Sequence, residues 1–172
     1  MEWLAGLVIC AALGGWLLFQ IFKPSPSGPE PSRGGGEGVP AAAPMKVSRV
    51  LPWEGDGDYE TKVDGESLYQ DALLSIVGEK TEESQEFETR AVLAPESFNG
   101  NRLYAVLIEG KKVGYLEAPM TAVLNAMVER NDLGVVAFEV EAMITGGWKR
   151  AGSEGMFGVV LDLVDEDVED DD

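Results

Sequence analysis

Residues 3–22, WLAGLVICAALGGWLLFQIF, hold a single strongly polar side chain, Gln20. A helix of that length rises ~30 Å at ~1.5 Å per residue, which matches the hydrocarbon core of a bilayer. The run predicts one transmembrane helix, with everything after it folding on a tether. Trp3 stands where an interfacial belt residue belongs. A cleaved signal peptide fits less well. No basic residue precedes the run, and it ends in Gln20-Ile21-Phe22 rather than in small residues. Cys10 follows Leu7-Val8-Ile9, so a bulky residue stands where lipoprotein processing needs a small one. Lys23, Arg33, Lys46 and Arg49 follow the span and no Lys or Arg precedes it, so the positive-inside rule puts the C-terminal domain in the cytoplasm. Gly6, Cys10 and Gly14 recur every four residues on one helix face. That face would let two anchors approach closely as a homodimer, although small residues are common in such helices anyway.

The charge of the chain is divided as unevenly as its hydropathy. Of the net -18, residues 1–55 contribute nothing, with four acids against four bases. Residues 56–164 carry 20 acids and nine bases, and residues 165–172 add seven acids and no base. A domain this acidic repels bulk nucleic acid and anionic lipid, so any nucleic-acid role needs a local basic patch. Residues 23–58 begin with a Pro-, Gly- and Ser-rich stretch without apolar periodicity and read as a flexible linker with an r.m.s. reach of ~30 Å. Within it, Met45 to Trp53 admits two readings: plain linker, or a segment that lays Val47, Val50, Leu51 and Trp53 onto the domain. The tail, 165–172, reads as solvated and disordered.

Residues 59–164 read as one domain. Ser67 and Gln70 fit a capping box that opens a short helix, with Leu68, Ala72, Leu73, Ile76 and Val77 as its apolar stripe. Phe87, Thr89, Ala91 and Leu93 alternate with Glu88, Arg90 and Val92 as a half-buried strand. Glu109-Gly110 between two apolar runs predicts a two-residue hairpin turn. Pro119 starts a second helix carrying Met120, Val123, Leu124, Met127 and Val128. Two further strands are expected, around Phe138–Ile144 and Phe157–Leu163. Short strands dominate, so the fold class is mostly β (α+β), a small β-barrel with two short helices.

Chemistry is constrained mainly by missing residue types. Histidine is absent and the lone cysteine lies in the apolar run, so the soluble part has no imidazole or thiol for zinc, no nucleophile–histidine pair and no disulfide. No EF-hand spacing, P-loop, dinucleotide fingerprint or G-x-S-x-G elbow is present. Carboxylate pairs are background among 31 acids. The expectation is a non-enzymatic protein with no cofactor and no metal; a carboxylate–metal enzyme is the remote alternative.

The informative stretch is APESFNGNRLYAV at 94–106, followed by Val113-Gly114-Tyr115-Leu116. It resembles the HIRAN domain, a small β-barrel fused to DNA-remodelling helicases and also found alone in bacteria and phages. Glu96, Asn99, Ala105, Val106, Val113, Gly114, Tyr115 and Leu116 match the family pattern. Gly65 and Tyr69 fit its first strand, while Gly146-Gly147-Trp148 and Phe157-Gly158-Val159 look like the closing segment of stand-alone members. The resemblance covers roughly 63–164. It implies a grip on single-stranded 3′ ends, with an Asn, an Asp and stacking aromatics. Here the Asn is Asn99, the proline is replaced by Gly100, and the Asp by Arg102, which accepts no hydrogen bond.

Asn99, Arg102, Lys111, Lys112, Tyr69, Trp148, Lys149 and Arg150 are therefore the candidate ligand-binding residues. Asn99-Gly100 is equally a turn dipeptide, and both Lys111-Lys112 and Trp148-Lys149-Arg150 are equally solvated loop positions. The expected function is a membrane-anchored HIRAN-like binding module for single-stranded or end-containing nucleic acid at the cytoplasmic face. The alternative is a protein-interaction module on the same barrel that has lost the DNA-end site.

Overall fold

The computed structural model describes residues 42–163. The expected anchor (3–22) with its Gly6, Cys10 and Gly14 face, most of the linker and the acidic tail lie outside the described residues. Among the described residues, no helix is long and apolar enough to cross a membrane.

Period-two patterning dictates the strands. The long strand β4 (Gln85–Phe98) pairs along its first part with β7 (Val136–Gly146), from Gln85↔Gly146 to Leu93↔Phe138. Its second part pairs with β5 (Asn101–Ile108), from Ala91↔Ile108 to Phe98↔Asn101. The order continues through β6 (Lys111–Leu116), β3 (Thr61–Asp64) and β10 (Phe157–Leu161), and β10 returns to β7. Six antiparallel strands thus close a barrel, which removes the open edges a flat sheet would present. Phe138, Val140, Ala142 and Ile144 point inward from β7; Leu93, Tyr104, Val106, Ile108, Val159 and Leu161 meet them in the core.

Two tight turns set the registers. Glu109 and Gly110 (φ 51° and 74°) are both left-handed, as are Asn99 and Gly100 (φ 51° and 82°). Both are the two-residue geometry whose twist suits a hairpin. At Gly114, the β5–β6 ladder slips between Val106 and Leu107. A Cβ there would run into the Val63 side chain and stand 2.6 Å from the Asp64 carbonyl oxygen, so β3 and β6 approach closely only over a glycine.

Helix α1 (Gln70–Val77) buries Leu73, and α2 (Ala118–Arg130), with Pro119 in its first turn, buries Met120, Leu124 and Val128. The capping box at Ser67 is not formed. Glu66–Leu68 is a 3-10 turn, no side chain caps α1, and Leu68 is 83% exposed instead of joining the stripe. Gln70 is diverted to a tertiary role. Its amide donates to the Glu66 and Phe157 carbonyls and accepts from the Phe157 N–H, pinning α1 to the start of β10.

The segment 43–53 bears out the second reading of Met45 to Trp53 in part, through Leu51 and Trp53 and not Val47 or Val50. It forms β1 (Ala43–Pro44) against β4 and β2 (Arg49–Pro52) parallel to β7, with Leu51 and Trp53 packed on the core. The folded region therefore starts well before residue 59. A short ribbon, β8 (Lys149–Arg150) with β9 (Ser153–Glu154), projects between β7 and β10.

Candidate functional site

Register builds a closed polar cluster on the outer face of β4, β5 and β6. Ala94, Ala105 and Tyr115 form one cross-strand row, with Glu96 two residues beyond Ala94 on the same face. The small, fully buried Ala105 leaves room for longer side chains to meet across it. Lys112 Nζ donates to Glu96 Oε1 at 2.6 Å, to Oε2 at 2.8 Å and to the Tyr115 hydroxyl at 3.0 Å. That hydroxyl in turn donates to Glu96 Oε2 at 2.9 Å. The ammonium also sits 4.7 Å from the Tyr115 ring centroid. Glu96 is 7% exposed, and these donors supply the partners a buried carboxylate needs. Burial pushes the Lys112 ammonium down, but the hydrogen bonds to Glu96 and Tyr115 outweigh it and hold the group above its ordinary value. The Tyr115 hydroxyl is raised, first by burial.

The eight candidates do not converge. Asn99 is exposed at the tip of the β4–β5 hairpin, and Arg102 is half-buried two residues past its end. Lys111, in the β5–β6 hairpin, donates to Ser75 Oγ at 2.9 Å and approaches Glu109 at 4.0 Å. Lys112 is consumed by Glu96. Tyr69 is half-buried at the junction of the 3-10 turn and α1. Trp148, Lys149 and Arg150 follow β7, whose last residue pairs with the first of β4. Asn99 follows the other end of β4, and Arg102 pairs there with Ser97. At ~3.3 Å per residue that strand can part the two groups by up to ~40 Å.

At the Trp148 end, the Arg150 guanidinium stacks 5.2 Å from the indole and donates to the Glu82 carbonyl. Lys80 pairs with Glu154 at 3.5 Å. Lys149 makes no ion pair among the described residues, and its backbone N–H is tied to Thr81. An open cavity of ≈ 560 Å³ beside it is lined by Gln70, Leu74, Lys80, Glu154 and Met156 among others. At the Asn99 end, α2 meets the barrel where the Asn125 amide donates to the Arg102 carbonyl at 3.2 Å. The buried Tyr104 hydroxyl is raised by burial and pulled back by the Arg102 guanidinium, which is near enough to act on it as a donor and a charge but does not meet hydrogen-bond geometry; Asn125 Oδ1 is unpartnered.

Glu96 and Tyr115 are the site residues that charge and aromaticity alone passed over. Both fall in the motif-like stretch, but alternation alone would set Lys112 and Tyr115 on opposite faces; the slip of the β5–β6 ladder between Val106 and Leu107 brings them together, and nothing local in the sequence marks it. Among the described residues, no group of three or more acidic side chains is arranged to hold a metal ion. Compared with protein-family models, with curated proteins and with solved structures, the chain matches none.

Proposed function

We propose that this chain is a non-enzymatic, membrane-tethered, HIRAN-like module whose barrel binds protein rather than nucleic acid, on the cytoplasmic side of its anchor. The observation that carries this reading is the closed Lys112–Glu96–Tyr115 cluster. The best-placed cation near the resemblance motif has all its charge directed at a buried carboxylate, so it has none to offer a phosphate. Arg102 stands where the resembled family has a hydroxyl-accepting Asp, and a guanidinium accepts no hydrogen bond. Arg90 is paired with Glu139 and Glu141 and Lys80 with Glu154, while Arg102 and the Lys149–Arg150 pair lie toward opposite ends of β4, inside a region of net charge -11 from residue 56 to 164. Counterion release needs several cations on one track, and this surface does not supply them.

One observation favours the nucleic-acid reading. Arg102 pairs directly with Ser97, and Ser97 with Ala43, whose strand leads into Lys46 and Arg49. The Asn99 end therefore carries more than one cation. Fluorescence anisotropy with labelled single strands bearing free or blocked 3′ ends, on residues 39–172, separates the readings. The protein-binding reading expects no saturable binding at ~50 mM salt. Micromolar binding that weakens steeply with salt and prefers a free 3′ end would overturn it.

A further inference from the structure

The N-terminal segment 43–53 is a clasp around the start of β7, and its hold is local. Main-chain carbonyls at even spacing point to one edge of a strand, so those of Val135, Glu139 and Glu141 face the same way. Ser48 N–H and Trp53 N–H take the first two, and Asp162 N–H takes the third. β10 ends at Leu161, and β4 covers the opposite edge of β7 only from Phe138 onward. Residues 48–53 thus occupy the length of strand edge that β10 leaves unpaired. Before them, Ala43, Pro44 and Met45 continue along β4, with Met45 N–H on the Pro95 carbonyl at 3.0 Å.

The side-chain anchors are few. Leu51 and Trp53 pack on the core, with Trp53 edge-on to Phe138 at 5.9 Å between centroids. The Trp53 indole N–H is buried without an acceptor, so the occupant fits its seat imperfectly. Charge complements the seat. Residues 42–53 contain Lys46 and Arg49 and no acid, and neither cation makes an ion pair among the described residues. Glu139 and Glu141 on the receiving strand are both held by Arg90, at 3.0 and 2.9 Å, so the complementarity is with the net charge of -11 over residues 56–164 and not with a particular carboxylate.

From this we infer that the Val135–Glu139 edge of β7 is a strand-accepting site for a cationic, extended peptide with a large apolar residue two positions before an aromatic, and that residues 43–53 are its built-in competitor. Strand addition draws affinity from main-chain hydrogen bonds and specificity from alternate side chains, which is the chemistry on show here. The clasp keeps the edge paired when no partner is present, protecting it from adventitious pairing. Binding then requires the clasp to lift, so apparent affinity is the intrinsic affinity scaled by the lifted fraction. The inference rests on the protein-binding reading and names its partner.

The test uses the full chain in detergent micelles and a labelled peptide of residues 42–54, AAPMKVSRVLPWE. Trp53→Ala weakens the clasp, so the variant should take up the peptide at least tenfold more tightly than the native chain, and a peptide with Lys46 and Arg49 replaced by Glu should lose most of that. Equal, negligible uptake by both chains, with the variant's far-UV circular dichroism unchanged, overturns the inference. Hydrogen exchange on the native chain supplies a measurement that needs no variant. The amides of Met45, Ser48 and Trp53 should exchange at least tenfold faster than those of Val106 and Val140. Equal protection means the clasp opens only with the whole barrel, which also overturns it. Single-strand binding, by contrast, would sink the protein-binding reading without moving either result.

Discussion

Replacing Glu96 by Gln keeps the shape of the side chain and removes the charge that holds Lys112. The ammonium side chain is 27% exposed and its partner carboxylate 9%, so water replaces little of the lost interaction. Breaking a fully buried pair costs about 3–5 kcal/mol. Tyr115 Oη and the new amide oxygen remain as partial acceptors, and part of Lys112 reaches water, so ~2 kcal/mol is the expected loss. For a domain of this size that lowers the melting temperature by ~6 °C. Urea unfolding of residues 39–172 reads the loss as a lower midpoint with unchanged slope. A cycle with Lys112→Met should give a coupling of ~2 kcal/mol, and the double variant Glu96→Leu/Lys112→Met should recover most of the stability. The pH dependence has a fixed sign. Lys112 is raised above its ordinary 10.5 and Tyr115 above 10.0. Their contribution is therefore complete below pH ~10 and lost as pH climbs through the raised values. Glu96→Gln should flatten that alkaline loss. A variant within ~0.5 kcal/mol of the native protein, with the alkaline limb unchanged, refutes the cluster as a stabilising unit.

Three other perturbations follow from the packing. Tyr104→Phe removes a fully buried hydroxyl that makes no well-formed hydrogen bond, Arg102 being near but out of geometry, so thermal unfolding should show no loss and up to ~1 kcal/mol of gain. Gly114→Ala forces a Cβ against Val63 and the Asp64 carbonyl where β3 meets β6, and should cost ~2 kcal/mol or more in the same assay. A fragment starting at residue 56 lacks β1, β2, Leu51 and Trp53. It should melt well below residues 39–172, with ~3 kcal/mol of apolar burial missing.

How far the sequence revealed this fold depends on whether a rule was local. Glu109-Gly110 and Asn99-Gly100 announced their hairpins because both turn positions need a left-handed backbone, and these residues tolerate it. Phe138 to Ile144 announced a half-buried strand by alternation alone. The capping box at Ser67 failed because a tertiary partner, the Phe157 backbone, outbid the local one for the Gln70 side chain. The clasp was not legible because 43–53 is bracketed by prolines and its two anchors sit two residues apart, too short a pattern to separate strand from linker. The candidate site suffered most. Neighbouring cations in the sequence carry no sign of which acids face them, and cross-strand register gives Lys112 to Glu96 while leaving Trp148 and Asn99 at opposite ends of β4.

On this fold the two cationic groups do not form one nucleic-acid surface. Amide NMR of residues 39–172, titrated with a ten-nucleotide single strand carrying a free 3′ hydroxyl at low salt, tests it directly. Shifts at Asn99, Arg102, Lys149 and Arg150 should be no larger than those caused by the buffer. Coincident, saturating shifts at both the Asn99–Arg102 and the Trp148–Arg150 ends, fitted by one dissociation constant, would contradict it.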